Sequence, residues 1–334
     1  MSMWSKEELL SERNLGLDLV RATEVAALAA GRWMGRGSRD RPDKVATEAM
    51  FDALNQLNIN GHIVVGEKGK VGWDSPLDNG VRIGLGQGPS MDVVVDPIDG
   101  RSLLATGRAG ALSVAAIAPD GSMWSPPAAL YMNKIVVNRE AAKAIVPECL
   151  DAPAAWTLAL IARVKKKRIS DLIVFVLDRP RHRDLIQEIR MAGARVMLRS
   201  DGDIAGALLA ASPEGKVDIL MGTGGVPEGL ISACAVRALG GAMLGRLDPQ
   251  RKAEREALEE AELDIARILT VEELVTTDDI YFAVTGITDG PLVDGVDYRG
   301  NHAVTHSLIL RGKTHSRRFM NTEHMVDSSS LPGL

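Results

Sequence analysis

Aromatic side chains and cysteines are scarce in this sequence. Phe, Trp and Tyr make up only 4% of the 334 residues, so few rings are present that could stack on bases or sugar faces. The two cysteines, Cys149 and Cys234, are too few and too far apart for a disulfide framework or a cysteine-based zinc site. These shortages exclude a disulfide-stapled domain and a zinc finger.

An excess of positive charge and long apolar runs are also missing. The 39 basic and 44 acidic residues leave a net charge of −5, whereas nucleic-acid binding requires a basic surface. No stretch approaches the roughly 18 uncharged apolar residues of a membrane span. The first residues lack the basic and apolar regions of a signal peptide. We therefore expect a cytoplasmic protein with no nucleic-acid and no membrane partner.

Composition and periodicity predict a globular α/β protein. The chain is 46% hydrophobic and 25% charged, which is typical of a folded protein with a substantial core. In the first half, apolar spacing predicts helices over residues 15–33 and 45–57, and strands at residues 63–65 and 91–96. A hinge near residues 147–153 divides the chain into an N-terminal α+β half, residues 1–150, and a C-terminal α/β half, residues 151–334.

The second half alternates between strand and helix patterns. We predict strands at residues 172–177, 194–198 and 217–221, and helices at residues 183–192, 204–211 and 227–239. Such alternation implies a largely parallel sheet. A charged helix is predicted over residues 251–267, and the last strands are predicted at residues 280–284, 304–310 and 317–325.

The run DPIDG at residues 96–100 carries the strongest chemical signal. Residues 91–96 predict a strand that ends on the first aspartate, and the proline and glycine shape a turn that carries the second, Asp99. Two carboxylates at this spacing can point at one place, as a hard divalent cation requires. A helix beginning at Gly100 would also present free backbone N–H groups to a phosphate. The alternative is an ordinary Asp-Pro turn whose aspartate caps a helix.

Other acids occur in similar settings. Glu67 follows the strand at residues 63–65, Asp43 lies at the start of a helix, and Glu228 lies in the glycine turn at residues 224–229. Each by itself is explained as a helix cap or a solvated carboxylate. Their combination with DPIDG indicates a carboxylate cage for Mg²⁺ or Mn²⁺.

DPIDG resembles the signature DP(I/L)(D/E)G(T/S) of the lithium-sensitive, metal-dependent sugar phosphatases. Further segments along nearly the whole chain are similar to class II fructose-1,6-bisphosphatases, including forms that also accept sedoheptulose 1,7-bisphosphate. These segments are residues 43–50 (DKVATEAM), 63–67 (IVVGE), 179–182 (RPRH), 200–203 (SDGD), 224–229 (GGVPEG) and 284–288 (VTGIT).

This resemblance implies both a fold and an activity. The fold would be a layered α/β (α+β) sandwich with two α/β halves and the active site between them. The activity would be Mg²⁺- or Mn²⁺-dependent hydrolysis of the 1-phosphate of fructose 1,6-bisphosphate, in gluconeogenesis or the reductive pentose phosphate cycle. The partners would be the sugar bisphosphate and further copies of the chain, in a dimer or tetramer.

The resemblance also implies roles for individual residues. The metal ligands would be Asp43, Glu67, Asp96, Asp99 and Glu228, of which Glu67, Asp96 and Asp99 would also serve catalysis. The cleaved phosphate would meet Asp99, Gly100 and Arg101. The sugar and its distal phosphate would be bound by Tyr131, Arg179, Arg181, His182, Asp201, Gly202, Asp203 and Gly225, with Arg39 as a further basic residue. For His182, a structural hydrogen bond is the alternative.

Two departures from the family pattern fall in this region. Position 101 is usually Thr or Ser, whose hydroxyl is available to metal or phosphate, and here it is Arg101. The strand-end glutamate is usually followed by acids, one of which helps to activate the attacking water, but this sequence has Lys68 and Lys70. Asp74, or Asp78 in a shifted loop, is the candidate substitute. A missing general base typically costs about 10²–10⁴-fold in rate.

These departures leave two further hypotheses open. One is a catalytically impaired homologue that binds a sugar phosphate or acts as a regulatory subunit. The other is a broader metal-dependent monophosphatase, such as those acting on inositol phosphates. The similarity outside DPIDG disfavours this last hypothesis.

Overall fold

The computed structural model describes residues 15–67, 72–126, 128–213 and 215–326. Its helices are α1 (Leu15–Gly31), α2 (Asp40–Leu54), α3 (Arg101–Ala105), α4 (Ala154–Val164), α5 (Arg183–Met191), α6 (Asp203–Ala211), α7 (Val226–Leu239), α8 (Lys252–Glu260) and α9 (Val271–Leu274). Its strands are β1 (Asn60–Val65), β2 (Arg82–Ile83), β3 (Ser90–Asp99), β4 (Leu112–Pro119), β5 (Tyr131–Val137), β6 (Ile173–Leu177), β7 (Arg195–Arg199), β8 (Ile219–Gly225), β9 (Ala242–Leu247), β10 (Ile268–Thr270), β11 (Tyr281–Gly286), β12 (Asp297–Arg299), β13 (His302–Arg311) and β14 (Ser316–Met325).

These strands form two mixed sheets. The first has the order β12-β13-β11-β4-β3-β1-β2, and β14 pairs with β13. The second has the order β10-β9-β5-β8-β6-β7. Within the described residues, the parallel pairs are β1–β3, β6–β7 and β6–β8. The alternation in the second half therefore correctly predicted parallel strands there, but β5, β9 and β10 complete that sheet in antiparallel pairs.

Helices and sheets alternate in five layers. Helices α1 and α2 cover the outer face of the first sheet, and α4 and α5 cover the outer face of the second. Helices α6 and α7 lie between the sheets and pack against both. Both faces of β3 are therefore buried: Val93 and Val95 face the outer core, whereas Val94 faces the central one. The predicted layered α/β sandwich is confirmed.

Most predicted helices and strands are present, with shifted ends. The predicted charged helix over residues 251–267 is wrong in length, because α8 ends at Glu260. There, Glu262 adopts a φ of 54°, and Leu263 N–H donates to Leu258 O at 3.0 Å. These features form a Schellman motif, which ends a helix through its backbone geometry even when charged side chains continue.

The two sheets do not follow the predicted division at residue 150. Strand β5 precedes that point but lies in the middle of the second sheet. Strands β11 to β14 come late in the chain and belong to the first sheet. The chain thus passes from the first sheet to the second and back again. Among the described helices, none is long and apolar enough to span a membrane.

Candidate active site

The DPIDG run forms the end of β3 and the turn into α3. Asp96 pairs with Val114 and Asp99 pairs with Leu112, so β3 has one more residue than β4 between these two pairs. In a regular strand, residues three apart point to opposite faces, but the extra residue of a bulge reverses that alternation. Both carboxylates consequently line one cavity. The backbone N–H of Ile98 donates to Asp96 Oδ1 at 3.2 Å, which holds the bulge.

Gly100 makes the turn that follows the bulge. Its φ is 92°, a left-handed conformation that side chains other than glycine rarely adopt. A Cβ at this position would also lie 3.3 Å from the Cα of Ala111. The glycine of the motif therefore serves the backbone, as the sequence predicted, and α3 begins at the next residue, Arg101.

Carboxylates converge on Asp99, which is 5% exposed. Burial raises its pKa well above the usual range, and the charges of Asp96, Asp201 and Glu228 raise it further. Its Oδ2 atom has no hydrogen-bond partner among the described residues. A buried carboxylate oxygen without a donor, surrounded by further carboxylates, is unfavourable unless a cation compensates the charge. This donor set fits a hard divalent cation.

The remaining two predicted metal ligands lie beside Arg101. Asp43 is in the first turn of α2, and its Oδ2 accepts a hydrogen bond from Arg101 Nη1 at 2.8 Å. Burial raises the pKa of Asp43, although the hydrogen bond to Arg101 lowers it in part. Glu67, just after β1, is buried, and its negative charge contributes to a raised Arg101 pKa. Arg101 thus joins α2 to α3 across the site.

Asp96, Asp99 and Arg101 line a cavity of about 420 Å³, whereas Asp43 and Glu67 are not among its lining residues. The residues that line it are Arg39, Asp40, Asp96, Ile98, Asp99, Gly100, Arg101, Ser102, Arg179, Asp201 and Glu228. The cavity is therefore lined mainly by carboxylates and arginines. Such a lining suits a ligand that combines a metal ion with phosphate oxygens.

Two glycines of β8 make room for acidic side chains. A Cβ on Gly225 would lie 1.9 Å from Glu228 Oε2, and a Cβ on Gly224 would lie 1.9 Å from Asp203 Oδ2. Any side chain at these positions would push a carboxylate out of place. The glycine-rich turn predicted before α7 is therefore a packing requirement of the site.

Lys134 is a functional candidate that the sequence analysis missed. It lies in β5, its side chain is fully buried, and its Nζ forms an ion pair with Asp203 Oδ2. A buried lysine needs such a partner because an isolated charge in the interior is very costly. The strand alternation contained a signal, since Lys134 occupies the same face as the buried Met132 and Val136.

Four of the predicted sugar-binding residues line two different cavities, and the others line neither of the two: Tyr131, Gly202, Asp203 and Gly225. Arg179 and Asp201 line the first, with Arg179 Nη2 3.8 Å from Asp201 Oδ1. Arg181 lines a second cavity of about 390 Å³. Its guanidinium lies 5.3 Å from the ring centroid of Tyr131 and donates to Thr223 O at 2.8 Å. Arg181 is therefore held against β5 and β8.

The Asp201–Asp203 turn reaches the first cavity from the second sheet. The backbone N–H of Ser102 donates to Asp201 Oδ2 at 3.4 Å, which links this turn to α3. Gly202 has a φ of 90° and precedes α6. Asp203 is the first residue of α6 and pairs with Lys134. The turn thus places one carboxylate in the cavity and one beside the buried lysine.

His182 has both ring nitrogens engaged by the backbone. Nδ1 donates to Leu177 O at 2.7 Å, and Nε2 accepts from Thr223 N–H at 2.8 Å. Burial lowers its pKa, so the neutral ring is favoured. These contacts support the structural alternative for His182, although its ring borders the second cavity.

The predicted substitutes for the missing base lie on the loop after β1. Asp74 is exposed. Asp78 Oδ2 accepts a hydrogen bond from Ser75 N–H at 3.3 Å within that loop. Lys68 and Lys70, the motivation for seeking a substitute, lie outside the described residues. Asp74 as a catalytic residue stays a prediction.

A different cluster combines His62, Asp92 and Asp120 away from this cavity. It lies toward the beginning of β3, whereas the DPIDG run lies at the end of that strand. His62 Nε2 is 3.4 Å from Asp92 Oδ1, and His62 Nδ1 is 3.3 Å from Asp120 Oδ1. One ligand atom from each of the three residues lies within 4.8 Å of the other two, a spacing that fits one metal ion. His62 also lies between the two carboxylates, with one ring nitrogen facing each of them.

Comparison with known proteins agrees with the geometry of the cavity. The protein named "Fructose-1,6-bisphosphatase 1 class 2" of Escherichia coli strain K12 is 37% identical over 328 residues, which cover 94% of this chain and 96% of that protein. "Fructose-1,6-bisphosphatase class 2" of Shigella flexneri is equally similar over the same shares. A family model described as bacterial fructose-1,6-bisphosphatase, glpX-encoded, matches residues 13–324. The chain therefore belongs to the bacterial, glpX-encoded fructose-1,6-bisphosphatase family.

Proposed function

We propose that this protein hydrolyses the 1-phosphate of fructose 1,6-bisphosphate, releasing fructose 6-phosphate and phosphate. Family membership and the activity named for its relatives support this proposal. The structural observation that carries it is the cavity around Asp99, where buried carboxylates meet arginines. A carboxylate cage next to guanidinium groups matches a metal-bound phosphate ester better than it matches an uncharged ligand.

The acids that would hold Mg²⁺ or Mn²⁺ are Asp43, Glu67, Asp96, Asp99 and Glu228. Bound there, such an ion supplies charge neutralisation of the phosphoryl oxygens, an activated water and stabilisation of the leaving oxygen. In the reaction, water attacks phosphorus, the bond between phosphorus and the C1 oxygen breaks, and that oxygen gains a proton. The product is the C1 hydroxyl of fructose 6-phosphate.

The basic and polar residues of the chain would orient the substrate. Gly100 leaves the backbone of the β3–α3 turn accessible to the cleaved phosphate, and Arg39 and Arg179 add positive charge at the cavity. Tyr131 and Arg181, held together by their ring–guanidinium contact, would bind the sugar and distal phosphate. Asp201 and Asp203 would accept hydrogen bonds from sugar hydroxyls, together with the backbone at Gly202 and Gly225.

The test is phosphate release from fructose 1,6-bisphosphate with Mg²⁺ or Mn²⁺. We expect Asp96→Asn and Asp99→Asn to lower kcat/KM by about 10²-fold or more. Loss of a residue that only supports the metal ligands already costs about 10–100-fold in metal affinity or activity, and loss of a ligand itself should cost more. Asp171→Asn is the matched control, since Asp171 lies on the surface beside Arg168. The product is identified by coupling to an enzyme specific for fructose 6-phosphate.

Other outcomes distinguish the alternatives. Faster release from sedoheptulose 1,7-bisphosphate would make that sugar the preferred substrate. Binding without release under either metal would indicate an impaired homologue, for which the similar proteins give no support. Release from inositol monophosphate alone would indicate a monophosphatase.

We also propose that the chain forms a dimer or tetramer. The edge strand β14 supports this, because Phe319 and Met325 on it are 61% and 79% exposed. Light scattering in solution measures the mass, and a monomer would contradict the proposal.

A further inference from the structure

Arg101 carries its positive charge into the proposed metal site. Its Nη1 lies 2.8 Å from Asp43 Oδ2, and its side chain is only 31% exposed. The guanidinium donates a hydrogen bond to Asp43, and the negative charges of Glu67 and Asp96 act on it as well. The guanidinium is therefore stabilised by three of the five acids proposed as metal ligands.

This ion pair changes what Asp43 can offer to a metal. A charge-assisted hydrogen bond already engages one oxygen of its carboxylate, and the nearby positive charge repels any further cation. Asp43 is 3% exposed, so solvent screens this repulsion weakly. A divalent ion at Asp43 would have to displace the guanidinium or bind next to it.

At Asp99, the other end of the site, no cation of the described chain compensates the carboxylate in this way. Asp99 Oδ2 has no hydrogen-bond partner among the described residues, and the charges of Asp96, Asp201 and Glu228 converge on that carboxylate. Excess negative charge thus remains at Asp99, while the charge at Asp43 is compensated by the chain itself. The two ends of one acidic site are unequal.

We propose that the Arg101 guanidinium substitutes for a divalent cation at Asp43, so that the protein binds one ion fewer per chain than it would without this arginine. The inference rests on the proposed function for the metal-binding role of the cavity, and it removes Asp43 from the ligand set while Arg101 is present. Arg101 is then a positioning residue that acts through the acids it contacts.

The experiment counts Mn²⁺ bound to metal-stripped protein by equilibrium dialysis, without substrate. Arg101→Met keeps much of the side-chain volume but removes the charge, and we expect it to bind one more Mn²⁺ per chain than the unmodified protein. Arg101→Lys keeps the charge and should bind the same number as the unmodified protein. Arg179→Met is the matched control, because it removes a charge from the same cavity without touching Asp43. Its Mn²⁺ count should stay unchanged.

A second variant keeps the test decisive if Arg101→Met fails to fold without metal. Asp43→Asn should leave the Mn²⁺ count of the otherwise unmodified protein unchanged, because Arg101 already occupies that end. A loss of one Mn²⁺ in Asp43→Asn, or equal Mn²⁺ counts for Arg101→Met and the unmodified protein, would overturn the proposal. Phosphate release is measured separately: normal Mn²⁺ binding without hydrolysis would contradict the proposed function and leave this inference intact.

Discussion

At Asp99, the requirements of binding and of stability oppose each other. Its carboxylate is buried, its Oδ2 has no hydrogen-bond donor among the described residues, and Asp96, Asp201 and Glu228 add like charge around it. These features raise its pKa above that of an aspartate in the unfolded chain. Without a cation, the ionised form of Asp99 therefore destabilises the fold, and a bound cation reverses this effect.

We predict that Asp99→Asn stabilises the metal-free protein although it lowers the proposed activity. Because the folded-state pKa of Asp99 is raised, protonation of this carboxyl stabilises the unmodified protein. This contribution is fully present below the unfolded pKa near 4 and is lost as pH rises through the folded pKa. The free energy of unfolding of the variant should thus exceed that of the unmodified protein most at neutral and higher pH. Urea unfolding of metal-stripped samples between about pH 4 and pH 8 measures this difference. A difference that does not grow with pH would contradict the prediction.

Arg101 and Lys134 show that cations shape this acidic site as much as the acids do. Lys134 compensates Asp203, and Arg101 compensates Asp43, so each of these two buried carboxylates has a cation of the chain beside it. The carboxylate of Asp99 is the contrast, because the described residues give its Oδ2 no donor. The proposed metal would supply the compensating positive charge at Asp99.

At the scale of elements, the bulge in β3 and the turn after it aim both DPIDG carboxylates at one cavity. The extra residue between Asp96 and Asp99 reverses the strand alternation, and Gly100 turns the chain into α3. A regular strand with the same sequence would place the two carboxylates on opposite faces of the sheet. Strand β3 therefore needs its bulge to bring Asp96 and Asp99 to the same cavity.

We predict that Gly100→Ala destabilises the protein by more than the left-handed backbone alone would explain. The conformation itself costs about 1–2 kcal/mol for a residue with a Cβ, and here the Cβ would also lie 3.3 Å from the backbone of Ala111. Gly121→Ala is the matched control, because Gly121 also has a positive φ but a Cβ there would meet no described atom within 4 Å. Urea unfolding compares the two variants. Equal losses would show that crowding at Gly100 is unimportant.

At the scale of the whole molecule, α6 and α7 tie the two sheets together. Leu208 and Leu230 on these helices belong to a core that also contains Val94 and Leu308 of the first sheet and Phe175 of the second. The site lies between the two sheets, since Asp96 and Asp99 come from β3 of the first sheet, Asp201 from the turn after β7 of the second, and Glu228 from the first turn of α7. Unfolding either sheet would therefore disassemble the site.

We predict that residues 1–150, the N-terminal half expected from the sequence, do not fold by themselves. In that fragment β4 would lose its neighbour β11, and β5 would lose both β8 and β9. The exposed strand edges and the missing central helices would leave apolar surface without cover. Circular dichroism during urea titration should show no cooperative transition. A cooperative transition would instead make residue 150 a true boundary between folding units.

Local sequence patterns were sufficient for much of this structure. The DPIDG run, the glycine turn before Glu228 and the alternation of strands and helices depend on short-range backbone preferences and on burial. Such preferences act between residues close in sequence, so they are readable from the sequence. The length of α8 was predicted wrongly because charged side chains continue past Glu260, whereas the backbone ends the helix there in a Schellman motif.

The amino-acid sequence by itself determined the α/β class and the resemblance to the family, and it supplied the candidate acids of the site. Tertiary structure alone decided which charges meet: Arg101 with Asp43, Lys134 with Asp203, and the other acids around Asp99. The physical reason is that an ion pair or a pKa shift depends on distance and burial. Residues 58 or 69 positions apart in the sequence can share a site only after the sheets have packed.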